Sequence, residues 1–80
     1  MAAALILAEH RFAQPGPDAF TAVQTQLAPC LRVREAVWVR SYLTEDGFVG
    51  VFEAADAEVI RRAFRSAGVG FERVWRVEQH

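Results

Sequence analysis

The chain has 80 residues, of which 52% are hydrophobic and 24% are charged, and its formal net charge is −1. The length predicts one domain spanning residues 1–80, and the balance of apolar and charged residues excludes an intrinsically disordered chain. A charge this close to zero gives no electrostatic reason to bind nucleic acid or an anionic membrane, so we expect neither as a partner.

The first residues and the single cysteine bear on localisation. The N-terminal apolar run lacks the basic segment of a signal peptide and is too short to span a membrane. Cys30 has no second cysteine with which to form an internal disulfide or a zinc site. These features predict a cytoplasmic protein in which Cys30 is a small buried hydrophobic residue rather than a redox centre.

A strand and a helix are predicted in the first part of the chain. Residues 3–12 alternate as a β-strand requires, and the Pro-Gly-Pro segment at 15–17 then interrupts regular structure. Asp18 is a suitable N-cap for an amphipathic helix. The apolar stripe of this helix contains Phe20, Val23, Leu27 and Leu31. Because Pro29 lacks an N–H group and crowds the preceding turn, we expect the helix to end near Ala28 or to bend there.

Residues 37–54 predict a β-hairpin. Two segments with two-residue alternation flank the polar turn Thr44-Glu45-Asp46-Gly47. Asp-Gly is a strong hairpin signal because it accepts positive φ at low cost. Both faces of both segments carry bulky side chains, so we expect the hairpin to be covered on both sides.

The alternation leaves open which face of the hairpin meets the helices. We favour an arrangement in which Val37, Val39 and Ser41 face the helices. Trp38 and Tyr42 then lie on the opposite face.

A second helix and a last strand complete the chain. Asp56 is the expected N-cap and Gly68 the expected left-handed residue after the C-terminus. The apolar stripe between them contains Val59, Ile60, Ala63, Phe64 and Ala67. The basic side chains of this helix are expected to face solvent near Glu58, namely those of Arg61, Arg62 and Arg65. Residues 71–78 alternate again, and their polarity predicts a strand near a sheet edge or an interface.

The predicted order β-α-β-β-α-β is that of the ferredoxin-like α+β fold, a four-stranded antiparallel sheet with two helices on one face. The second sheet face would then be bare, and a bare aromatic face is unusual on a monomer. We therefore expect a homodimer that packs two such faces in a dimeric α/β-barrel type assembly. Five aromatic residues are candidates for this dimer interface or for a ligand pocket: Trp38, Tyr42, Phe52, Phe64 and Trp75. We prefer core and interface packing for them.

Motifs between Trp38 and the C-terminus resemble a family of small bacterial proteins described as domains of unknown function or as nickel-binding proteins. The motifs are Trp-Val-Arg-Ser-Tyr, Glu-Asp-Gly, Phe-Glu-Ala-Ala-Asp, Arg-Ser-Ala-Gly-Val and Arg-Val-Trp-Arg-Val. The first strand, through Leu7-Ala8-Glu9, is similar more loosely. The resemblance implies a ferredoxin-like domain that dimerises, and it implies nickel binding.

The sequence departs from this family where metal ligands are expected. The resemblance implies a Cys two positions before the aromatic residue of the third strand and a His in the second helix. Gly50 and Phe64 stand at these positions. Neither a hydrogen atom nor a phenyl ring can ligate Ni(II), so these two positions argue against nickel as a cofactor.

The remaining candidate metal ligands are Glu9, His10 and Glu53. Glu9 and His10 are adjacent on the first strand and point to opposite faces, so a shared ion would need Glu53 or a second chain. We prefer a structural role for His10 and hydrated strand-end positions for the two carboxylates. His80 is terminal, and we assign it no role.

Two functions from different classes are compatible with these features. The favoured one is a non-enzymatic dimeric binding module, with nickel as the ligand that the resemblance implies. The alternative is a cofactor-free monooxygenase or isomerase with His10, Tyr42 or Glu53 near a pocket, which only fold analogy supports. A third interpretation is a structural or regulatory dimer without a small-molecule site. The sequence has no phosphate-binding Gly-rich loop, nucleophile elbow or HExxH motif.

Overall fold

A computed structural model describes residues 3–79 of the chain. The elements are β1 (Ala4–Arg11), α1 (Ala19–Arg32), β2 (Val37–Leu43), β3 (Gly47–Ala54), α2 (Ala57–Ala67) and β4 (Arg73–Val77). The strands form one antiparallel four-stranded sheet in the order β2-β3-β1-β4. The predicted ferredoxin-like α+β fold is therefore confirmed, and β4 lies at an edge of the sheet as expected.

The hydrophobic core lies between the two helices and one face of the sheet. Its fully buried side chains include those of Ile6, Leu27, Phe48, Phe52, Ile60 and Phe64. The aromatic rings form a continuous series in which Phe52 lies 5.0 Å from Trp38 and 6.0 Å from Phe64, measured between ring centroids. Such ring pairs add about 0.5–1.5 kcal/mol each to the effect of burial alone.

The predicted orientation of Trp38 is wrong. Trp38 pairs with Phe52, stacks on Phe48 at 5.5 Å and donates a hydrogen bond from Nε1 to Ser41 Oγ at 2.7 Å. Its ring thus lies on the helix side of the sheet, with Ser41 as predicted, whereas Val37 lies opposite Glu53 on the other side.

A β-bulge explains this error. Trp38 pairs with Phe52 and Arg40 pairs with the adjacent Val51, which leaves Val39 as an extra residue in β2. An extra residue shifts the alternation of side chains by one position. Tyr42 therefore lies on the face opposite Trp38, although the two residues are four positions apart.

Helix α2 begins and ends at the predicted residues. The Asp56 side chain accepts a hydrogen bond from the Val59 N–H at 3.0 Å, which satisfies one of the free donors of the first turn. Gly68 has φ 71° and ends the helix in the left-handed conformation that glycine adopts without a steric penalty.

Helix α1 differs from the prediction at both ends. Asp18 occupies the N-cap position, but its side chain makes no capping hydrogen bond. The helix continues through Pro29 to Arg32, and Leu31 is buried in the core. Pro29 deprives only the Thr25 carbonyl of its helical N–H donor, and both residues are exposed, so water can satisfy that carbonyl. The burial of Leu31 favours the extra turn.

The hairpin between β2 and β3 is confirmed, but its turn does not use positive φ. Among residues 3–79, positive φ occurs at Glu35 and Gly68. Gly47 is required for a different reason, because a Cβ atom there would collide with the His10 carbonyl oxygen on the neighbouring strand β1. This close approach brings β3 alongside the end of β1, where His10 lies.

Candidate functional site

The sheet face that points away from the helices is a mixed apolar and charged surface, which we call the open sheet face. Its apolar members are partly or largely exposed: Leu5, Leu7, Val37, Tyr42, Val49, Val51, Trp75 and Val77. At its centre Leu7 lies between Val51 and Trp75 on the flanking strands. Tyr42 is the most exposed aromatic residue of this face, with 55% of its surface accessible.

Charged side chains surround this apolar centre. Glu9 pairs with Arg73 across β1 and β4, and Arg40 pairs with Val51 beside Glu53. The guanidinium of Arg73 lies over the Trp75 ring, 4.1 Å from its centroid, in a cation–π contact. The face thus carries acidic and basic groups in alternation around apolar residues.

A shallow depression of about 450 Å³ crosses the open sheet face. Its lining includes Leu5, Leu7, Tyr42, Val51 and Glu53. Two of the predicted site residues, Tyr42 and Glu53, thus share this surface.

His10 lies on the other side of the sheet. Its side chain is 8% exposed, and its ring is packed at 5.4 Å from Phe48 and 5.6 Å from Phe12. Nδ1 lies 2.6 Å from the carbonyl oxygen of Gly70. A carbonyl oxygen only accepts, so Nδ1 is the donor, and the neutral ring then has its lone pair on Nε2.

A cavity of about 240 Å³ opens beside His10, between the end of β1, the first half of α1 and the loop that follows α2. We call it the His10 pocket. Its lining residues are His10, Phe12, Ala13, Gln14, Ala19, Ala22, Val23, Gln26, Gly68, Val69 and Gly70. None of these described residues is Asp, Glu, Lys or Arg, so His10 and the two glutamines supply the polar side chains.

Glu9, His10 and Glu53 do not form a site within one protomer. His10 faces the helices while the two carboxylates lie on the open sheet face. Glu9 is opposite Val49 and Glu53 is opposite Leu5, which separates the carboxylates by four positions along the sheet, about 13 Å. Within residues 3–79, no group of three or more His, Cys, Asp or Glu side chains can hold a metal ion. His80 lies outside the described residues.

The five aromatic candidates divide between two places. Phe52 and Phe64 are fully buried in the core, and Trp38 packs against Phe52. Tyr42 and Trp75 lie on the open sheet face, where they remain available to a partner.

The arginines of α2 surround Glu58 rather than an empty anion site. Glu58 lies 3.5 Å from Arg61, 3.4 Å from Arg62 and 3.3 Å from Arg65. Burial alone would raise the pKa of Glu58, but the hydrogen bonds and positive charges of these arginines outweigh it and lower the pKa. Arg61 is less free than predicted, because it also donates to the Val74 carbonyl at 2.9 Å.

Sequence reasoning missed Gly70, Gln14 and Gln26 as site residues. The hydrogen bond from His10 to Gly70 joins residues 60 positions apart, and the glutamines carry no titratable group that would single them out. The Gly-Val-Gly segment at 68–70 was the available sequence signal, because glycine lets the backbone approach another residue closely, here His10.

Residues 7–77 match the family model described as nickel responsive protein SCO4226-like. The chain belongs to this family. The match begins within β1 and ends with β4, so the SCO4226-like assignment includes residues of all four strands. Searches of curated proteins and of solved structures found no match.

The core of this SCO4226-like chain has no room for metal ligands at the two positions that the resemblance singled out. A Cβ atom at Gly50 would lie 2.7 Å from Phe52 Cε1 and 3.3 Å from Phe48 Cε2. Phe64 is fully buried, with its ring edge-on to Phe52. Phenyl rings thus fill the space, and the residues present do not fit a nickel ion inside the protomer.

No helix within residues 3–79 combines the length and the apolar character needed to cross a membrane.

Proposed function

We propose that this protein acts as a homodimeric, non-enzymatic binding module in which two copies pack their open sheet faces against each other. The observation that carries the proposal is the partly exposed apolar centre formed by Leu7, Val51 and Trp75 on a sheet whose helices cover only the other face. A contiguous apolar surface with a polar rim is typical of a protein interface.

The charge pattern supports a second copy as the occupant of this face. A two-fold interface brings the same surface of two chains together, so it must be self-complementary. The rim carries the acidic residues Glu9 and Glu53 and the basic residues Arg40 and Arg73. Acidic groups of one copy can therefore lie opposite basic groups of the other copy. A surface of one sign would repel its own copy.

Nickel enters this proposal through the family's description alone. Because the described residues of one protomer do not fit the ion, we propose that the binding function does not depend on nickel held inside the protomer. Metal analysis of protein purified without a histidine tag, together with thermal unfolding in added nickel, tests this point. A ligand of the native state must raise the unfolding temperature. Stoichiometric nickel bound by a chain that remains monomeric would contradict it.

Sedimentation velocity over a wide concentration range tests the dimer. Leu7→Lys places a charge at the centre of the open sheet face, and we expect the dimer dissociation constant to rise about 30-fold or more, since a central interface residue contributes about 2 kcal/mol or more. The matched control is Val33→Lys, which changes an exposed apolar residue outside this face. A wild-type protein that stays monomeric at high concentration, or equal effects of the two substitutions, would refute the proposal.

One observation favours an enzyme as the second candidate. His10 lines a pocket and commits Nδ1 to the Gly70 carbonyl, which leaves Nε2 as the ring nitrogen that is available for acid–base chemistry. The other proposed catalytic groups, Tyr42 and Glu53, lie on the opposite side of the sheet and cannot reach this pocket. An isomerase or monooxygenase mechanism at this site would therefore depend on His10 alone, which is why we rank it second.

A further inference from the structure

We infer that the His10 pocket binds a small neutral organic molecule, of the size of a monocyclic phenol, that donates a hydrogen bond to His10 Nε2. The inference is independent of the proposed dimer, because the pocket lies on the helix side of the sheet.

One ring nitrogen of His10 has no partner among the described residues. The residue is 8% exposed, and its Nδ1 is committed to the Gly70 carbonyl. Among the described residues, no second hydrogen bond to this ring is present, yet no fully buried polar side-chain atom lacks a partner. Nε2 is therefore accessible to solvent, and His10 lines the pocket. An accessible lone pair at a pocket lining can accept a hydrogen bond from a bound molecule.

The pocket has room for a small molecule only. The cavity volume of about 240 Å³ corresponds to about eight water molecules at about 30 Å³ each. This volume is below the range of about 300–1,000 Å³ that is typical of sites for drug-sized ligands. It suits a molecule with a single ring rather than a nucleotide or a peptide.

The lining of the pocket favours an uncharged molecule. The described lining has no Asp, Glu, Lys or Arg, and its apolar part includes Phe12, Val23 and Val69. A charged ligand would find no partner for an ion pair in this lining. One imidazole and two carboxamides are also too few and too weakly charged to hold a metal ion. The pocket therefore selects a neutral molecule with an apolar ring and one O–H group.

Phenol and toluene are the matched probes, since they have nearly the same shape and only phenol carries a donor. We expect phenol to shift the backbone amide resonances of His10, Val23 and Val69, and to shift the imidazole Nε2 resonance in a ¹⁵N spectrum. We expect the dissociation constant of toluene to be at least about fivefold higher than that of phenol, because one net hydrogen bond contributes about 1 kcal/mol.

Two variants locate the site. Ala22→Leu adds bulk to the pocket lining and should abolish the phenol-induced shifts. The matched control is Ala28→Leu, an exposed position on the same helix outside the pocket, which should leave them unchanged. His10→Phe keeps an aromatic ring but removes the acceptor, and should remove the preference for phenol over toluene. If His10→Phe does not fold, the comparison of Ala22→Leu with Ala28→Leu still shows whether phenol binds in the pocket.

Four results would overturn the inference. The first three are the absence of phenol binding up to its solubility limit, equal affinities for phenol and toluene, and phenol shifts that Ala22→Leu leaves unchanged. Shifts confined to the open sheet face would also assign phenol to a different surface and overturn it.

Discussion

The substitution Gly50→Ala tests whether phenyl rings fill the core where the family resemblance implies a ligand side chain. Gly50 is buried in β3, opposite Ala8 on one side and Ser41 on the other. A methyl group here would lie 2.7 Å and 2.9 Å from two atoms of the Phe52 ring. Phe52 cannot withdraw easily, because it is fully buried between Trp38 and Phe64.

The expected loss of stability is the difference between two effects. Overpacking a close-packed core costs about 1–3 kcal/mol. Replacing a strand glycine recovers about 0.5–1 kcal/mol of backbone entropy. The net destabilisation of Gly50→Ala is then about 1 kcal/mol, which lowers the melting temperature of a domain of this size by about 4–8 °C. A Cys side chain at this position would be displaced by the same contact.

Urea and thermal unfolding followed by circular dichroism measure this effect. Gly16→Ala is the control, because a Cβ atom there meets nothing within 4 Å, and we expect unchanged or slightly higher stability for it. Phe52→Leu should relieve the contact, so the double variant with Gly50→Ala should be more stable than the sum of the single effects predicts, by about 0.5 kcal/mol or more. Equal or higher stability of Gly50→Ala alone would show that the space beside Phe52 is open, and would refute this reasoning.

Three further predictions concern other elements. Trp38→Ala should destabilise the fold by about 3 kcal/mol as a loss of core packing, yet leave the dimer dissociation constant unchanged; a large change in that constant alone would reject the inward orientation of Trp38. Asp56→Ala should cost about 1 kcal/mol in urea unfolding by removing the α2 cap, whereas Asp18→Ala, which removes no capping bond, should cost less; equal losses would contradict this assignment. Because the pKa of Glu58 is lowered in the folded protein, its contribution to stability is complete above its ordinary pKa of 4.5 and is lost as the pH falls through the lower folded value. Glu58→Gln should therefore reduce the loss of stability on the acid side of the pH profile. A profile that this substitution leaves unchanged would exclude the effect.

The order of the elements was predictable because each has a local cause in the sequence. Two-residue alternation, the cap at Asp56 and the left-handed Gly68 all act within a few residues of the feature they determine. The end of α1 was not predictable in this way. The penalty at Pro29 is local, whereas the burial of Leu31 that extends the helix arises from tertiary packing.

The site was less predictable than the fold. The sequence singled out His10, but its role depends on Gly70 and on a cavity built from three separate segments. It also singled out Glu9 and Glu53, and the strand register that separates them is a property of the folded sheet. The residue types identified the candidates, whereas their positions relative to one another depend on contacts between segments that are far apart in the sequence.

The extra residue in β2 has a consequence for how this small chain uses its few aromatic rings. In a regular strand Trp38 and Tyr42, an even number of positions apart, would have to project to the same side. Because Val39 is unpaired, the same seven-residue strand places the Trp38 side chain in the interior and the Tyr42 side chain on the exterior. A single irregular position in one edge strand thus gives this 80-residue protein an aromatic side chain on each face of its sheet.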